Sequence, residues 1–138
     1  RGRREVAKAQ EPVVYFSTLV ERWKKILGLT DWWIHVQVVP DPDDDPDSPI
    51  TTLMHTSWAT HYKSCTVSVF PAALGLPDAK KEKCIVHELL HLVFCWTDDM
   101  LEEALGGGTV FTQFREKMEG AIDGLANRLQ ETCRAYRT

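Results

Sequence analysis

The chain has 138 residues, 43% of them hydrophobic and 26% charged. That is the size and make-up of one globular domain with a core of its own. No stretch approaches the ~18 consecutive apolar residues of a membrane span. The net charge of −4 argues against a dedicated nucleic-acid binder, which needs clustered Lys and Arg.

Arg1, Arg3 and Arg4 form a tight basic cluster at the start of the sequence. They read as a solvated arm, so residues 1–11 are expected to be a flexible basic N-terminal arm ahead of a single domain over 12–138. The opening RGRREVAKAQ lacks the apolar run of a secretory signal. Cys65, Cys84, Cys95 and Cys133 are scattered without C-x-x-C spacing. They read as buried thiols in a reducing compartment, hence a cytoplasmic protein.

From Pro12 to Gly28, Phe16, Leu19, Val20, Trp23, Ile26 and Leu27 recur at helical spacing, which predicts an amphipathic first helix. Trp33 to Val39 alternates apolar and polar residues and predicts a strand with one buried face. Pro40 to Pro49 holds four prolines and five aspartates and reads as a solvated loop. A calcium loop is the weaker reading, because the glycine and closing Glu of an EF-hand are missing. Two further strands are expected over Thr52–Trp58 and Lys63–Phe70, joined through Ala59 to Tyr62. The three strands together suggest a mostly antiparallel sheet.

Pro71 to Pro77 reads as a loop and Asp78 as the N-cap of a helix reaching about Trp96. A short helical turn is expected around Leu101 to Leu105, and Gly106, Gly107 and Gly108 stop it. The last helix should run from about Thr109 to Tyr136, with Phe111, Phe114, Met118, Ile122, Leu125 and Leu129 as its stripe.

Within the Asp78 helix stands His87-Glu88-Leu89-Leu90-His91, an H-E-x-x-H match. Two histidines at i and i+4 project from one helix face and can bind one zinc, while the Glu next to the first reaches the metal-bound water. Ile85, Val86, Leu89, Leu92, Val93 and Trp96 share one side of the helix; His87 and His91 point the other way with Cys84, Phe94 and Cys95. A second face of ligand types and apolar groups predicts a helix covered on both sides.

A catalytic zinc takes three protein ligands. None of the five histidines follows His91, so the metzincin spacing is excluded and the third ligand should be a carboxylate. On the last helix Glu119 lies at the edge of the apolar stripe, about 100° from its centre, where a side chain can turn inward. Glu116 and Asp123 lie nearly opposite the stripe. Glu119 is the first candidate, and Glu102 or Glu103 the next.

LGLTDWWIHV, YKSCTVSVFPAAL, IVHELLHLVF and EGAIDGLANRL together resemble small HExxH zinc metallopeptidases of the minimal gluzincin type, in particular those encoded by phages and prophages. The resemblance covers most of the chain from about Pro12. It implies a zincin-like α+β fold, with a small sheet packed on the N-terminal helix, a central HExxH helix and a long C-terminal helix. It implies one Zn2+ per chain on His87, His91 and Glu119, the last as the Glu of an E-x-x-I/V-x-x-L-A pattern. The activity implied is peptide hydrolysis by a metal-activated water, with Glu88 as general base.

By the same resemblance, strand 63–70 is the sheet edge along which an extended peptide or protein substrate adds as a strand. His55, His61 and Tyr62 are candidates for oxyanion stabilisation. Gly120 and Gly124 depart from good helix formers and would mark a close helix crossing. Two rival functions are a catalytically silent metal-binding interaction or regulatory protein, and a zinc hydrolase of nucleic acid. The acidic balance disfavours the second.

Overall fold

The structure, a computed structural model, describes residues 2–39 and 52–137. The expected acidic loop at Pro40 to Pro49 lies outside the described residues. In chain order the elements are α1 (Gly2–Leu27), β1 (Trp33–Val38), β2 (Met54–Ala59), β3 (Ser64–Val69), α2 (Pro71–Leu74), α3 (Asp78–Val93), α4 (Cys95–Leu105) and α5 (Thr109–Arg137). Among the described residues the fold is α+β, five α-helices and a small three-stranded sheet. Among the described residues no helix is long and apolar enough to cross a membrane.

Helix α1 begins at Gly2 rather than at Pro12, which sits inside it. Phe16, Leu19, Val20 and Trp23 are buried, each worth about 1.5–3 kcal/mol when fully withdrawn from water. Gly28, at φ +73°, ends the helix in the left-handed region that favours glycine. Its neighbour Leu29 donates its N–H back to the Lys24 carbonyl at 2.8 Å. Arg22 of α1 meets the buried Glu82 of α3 at 3.2 Å and ties the two helices together.

The sheet order is β1-β3-β2, with β1 parallel and β2 antiparallel to β3. The sheet is therefore mixed, not mostly antiparallel. β2 and β3 form a hairpin through a 3-10 turn at Thr60–Tyr62, and β3 inserts between its partner and β1. Burial explains that placement. Every residue of β3 is at least partly covered, whereas β1 and β2 alternate with exposed residues.

The expected loop at Pro71 to Pro77 contains the short α2, which starts on Pro71 at a first-turn position. Asp78 opens α3 but does not cap it, since Pro77 holds that position. Asp78 instead hydrogen-bonds Tyr15, whose hydroxyl pKa is raised by burial first and then by this bond. The helix expected to reach Trp96 breaks at Phe94 (φ −104°, ψ 5°), and α4 follows. The break carries Trp96 to the surface and leaves Val93 exposed, while Ile85, Val86, Leu89 and Leu92 are buried.

On α5, Ile122 and Ala126 are buried and Leu125 is exposed, so the packed stripe passes through Ala126 instead. Nothing lies within 4 Å of a Cβ built on Gly120 or Gly124, so neither marks a close crossing.

All four cysteines are free. Burial pushes the Cys65 thiol up to about 12, and raises Cys84 and Cys95 as well. A thiol in the unfolded chain ionises near ~8.5. Above about pH 9 the unfolded state therefore binds fewer protons than the folded one, and stability falls as pH rises toward 12. Urea midpoints should drop between about pH 8 and 10.5, and drop less for Cys65→Ala. An equal drop in both proteins would contradict the burial of this thiol as its cause.

A candidate metal centre between helices α3 and α5

The HELLH segment lies in the last two turns of α3, anchored by Leu89 and Leu90, which are 0% and 2% exposed. With those side chains in the core, helical geometry turns His87 and His91 together toward α5. Ile122 and Ala126 hold α5 against the core, and Glu119 and Asp123 stand one turn apart along its border with α3.

His87 Nε2 lies 3.0 Å from Glu119 Oε2, and His91 Nε2 lies 2.8 Å from Glu119 Oε1. The three side chains place one ligand atom each within 4.8 Å of one another. The histidine rings are 5.2 Å apart at 63°, and their side chains are mostly covered. Glu119 is half exposed, on the open side of the centre.

The donor set fits zinc. Two imidazole nitrogens and one carboxylate are ligands it takes, at spacings of about 3.3 Å for tetrahedral geometry. The Nε2 atoms converge on a single carboxylate, so the ion would replace the contacts they make with it.

Both histidines have support behind them. His87 Nδ1 lies 3.4 Å from Asp123 Oδ1, and Lys83 Nζ is 3.4 Å from the same carboxylate. Trp58 of β2 stacks on His91 with centroids 6.1 Å apart and planes at 17°. Its indole N–H donates to Asp99 Oδ1 at 3.4 Å, and Asp99 also accepts from Thr60 Oγ1. Glu88 accepts a hydrogen bond from Thr56 Oγ1, whose residue is 6% exposed on β2. The residue between the two ligand turns is thus held from the sheet.

A cleft runs past the centre on both sides. One arm, of about 670 Å³, passes β2 and α4 by His55, Trp58, Glu88, His91 and Glu119. The other, of about 720 Å³, follows α3 toward its start and also borders Glu88 and Glu119.

The remaining candidates fall elsewhere. Glu102 groups with Asp98 and Asp99, and Glu103 is exposed on α4. Asp98 pairs with Arg115 at 3.1 Å and, through that hydrogen bond, raises the guanidinium's pKa. His55 borders the cleft. His61 packs edge-on against Trp96 at 5.8 Å, and Tyr62 is 85% exposed beyond it.

Strand 63–70 is not a sheet edge. β3 is central, paired on both sides, and has no edge to offer an extended chain. The edge beside the centre is β2, which supplies Thr56 and Trp58. Sequence reasoning missed both, and missed Asp123 as the partner of His87. Asp123 carried a signal, since it lies four residues after Glu119 and so on the same helix face.

No protein-family model matches the chain, and no solved structure matches it. Among curated proteins it is similar in part to the thiamine-phosphate synthase of Geobacillus kaustophilus (strain HTA426). That match is 54% identical over 43 residues, covering 28% of this chain and 20% of the relative. The protein of the same name from Geobacillus thermodenitrificans (strain NG80-2) is 48% identical over 44 residues, with the same shares. That of Anoxybacillus flavithermus (strain DSM 21510 / WK1) is 38% identical over 63 residues, 41% of this chain and 29% of the relative.

The matched part of the chain thus spans less than a third of each of these relatives. The expected membership of the small HExxH metallopeptidases is overturned by these matches, which carry a synthase name and no peptidase name. The hydrolase, protease and phage-like assignments fall with it.

Proposed function

We propose that this chain is an enzyme domain built on one metal centre, in a zincin-like arrangement where His87, His91 and Glu119 hold a single Zn2+ and Glu88 moves protons beside it. The observation that carries this reading is the convergence of both Nε2 atoms on one carboxylate, at 2.8 and 3.0 Å. When bound, zinc supplies a Lewis acid that polarises an oxygen and eases loss of its proton.

The chain's own groups do the rest. Asp123 fixes the ring of His87 through Nδ1, and Trp58 fixes that of His91. Thr56 engages one oxygen of Glu88, leaving the other to take a proton from the ligand side and return it. Helix α5, the edge strand β2 and helix α4 wall the cleft.

The test is metal content of the parent beside Glu88→Gln. One zinc per chain is expected in both, because Glu88 is a proton carrier and not a ligand. A folded parent that takes up no zinc at neutral pH would end the proposal.

The partial likeness to the three synthases favours the enzyme reading, and adds a second one in which the cleft accepts a phosphate-bearing ligand. Calorimetric titration of the zinc-loaded chain with thiamine phosphate checks it. Saturable binding is expected; no binding at millimolar concentration would remove this second reading and leave the first standing.

A further inference from the structure

The face of α3 that carries His87 and His91 does not end at the metal centre. Going back by threes and fours, it passes through Cys84 and Lys83 to Lys80. Lys80 and His87 are seven residues apart, two turns on one face and about 10 Å along the axis. Both border the same arm of the cleft, with Leu53 and Leu76 supplying apolar surface.

The two lysines differ in what holds them. Lys83 is engaged by Asp123, 3.4 Å away, and so belongs to the support of the centre. The Lys80 ammonium makes no ion pair or hydrogen bond among the described residues. Glu88, Glu119 and Asp123 also border this arm, Asp123 being engaged by Lys83; the other arm shares Glu88 and Glu119 and adds Asp98, Asp99, Glu102 and Glu116, with Arg115 tied to Asp98. An anionic group is therefore repelled more strongly from that second arm than from the one in which the Lys80 ammonium is free to meet it.

Resting on the metal-centre reading above, we infer that the arm beyond His87 is an anion-recognition subsite. Lys80 binds the carboxylate or phosphate group of a ligand whose other end sits at the metal. The spacing selects ligands in which those two ends stand about 10 Å apart. The acidic arm sets the direction in which such a ligand lies.

The experiment uses the zinc-loaded chain and hydroxamates of one length, whose head group binds zinc and whose tail spans that distance. Tails end in a carboxylate, a phosphonate or an uncharged carboxamide. In the parent at low salt, at least one anionic tail should bind about tenfold tighter than the carboxamide, the size of a charge-assisted hydrogen bond. The tighter of the two anionic tails identifies the source chemistry.

In Lys80→Gln the advantage should fall below twofold, with zinc content and carboxamide affinity unchanged. Equal affinity of all three tails in the parent would overturn the subsite while leaving the metal centre intact. So would an anionic advantage that survives in Lys80→Gln. If no hydroxamate binds and no zinc is retained, the metal centre itself fails and the subsite falls with it.

Discussion

Glu119→Ala is expected to lower the zinc affinity of the proposed centre by at least about a hundredfold, measured by competition with a chromophoric chelator at neutral pH. Among the described residues Glu119 is the one carboxylate that both histidines contact, through separate oxygens at 3.0 and 2.8 Å. Its loss leaves two imidazoles alone, one ligand short of the three that zinc enzymes use. The side chain is half exposed and the Cβ survives, so the fold should persist and circular dichroism should be unchanged.

Asp123→Ala is the graded companion. It removes the group behind His87 Nδ1, and with it the partner of Lys83, while the three proposed ligands stay; a loss of about ten- to hundredfold is expected. The order of the two variants is the informative part. If Glu119→Ala kept parental affinity, the third ligand would have to be sought elsewhere and the proposed centre would be wrong.

Leu89→Ala costs about 2–5 kcal/mol of stability, read from urea denaturation of the metal-free chain. Leu89 is 0% exposed and stands between the two histidines in sequence, on the opposite face of α3. It packs in the same core as Val67, Ile85 and Ile122, so truncation leaves a cavity at the junction of sheet, α3 and α5. Such a loss is a large share of the total for a domain of this size.

Zinc should give part of it back. At a hundredfold excess over its dissociation constant, a ligand that binds only the folded state adds about 2.7 kcal/mol. The parent and Leu89→Ala should both gain that increment if the centre survives. A truncation costing under about 1 kcal/mol would mean that this core does not hold the motif in place.

Several elements were readable without a structure because their cause is local. The stripe Phe16, Leu19, Val20 and Trp23 and the glycine after it specify α1 and its end, whatever lies against them. The alternation of Cys65, Val67 and Val69 specifies a strand and its inner face. The i, i+4 spacing places His87 and His91 side by side on any helix, and the edge position of Glu119 follows from the same arithmetic. Nothing in those inferences depends on a distant residue.

The tertiary structure decided what depends on which surfaces meet. Periodicity says that a face is covered, not by what, so β3 read as an edge although both of its sides are taken. The helix break at Phe94 and the exposure of Leu125 depend on how α4 and α5 fit the core, where apolar content alone pointed otherwise. Thr56 and Trp58 are ordinary strand residues until β2 lies beside α3, when one holds Glu88 and the other His91. Sequence by itself determined the apolar stripes of the long helices and which candidate ligand residues share a face, because helical geometry is local. Only the packing of α5 and β2 against α3 decided how Glu119 meets both histidines and which groups support them, because those contacts join residues more than 25 positions apart.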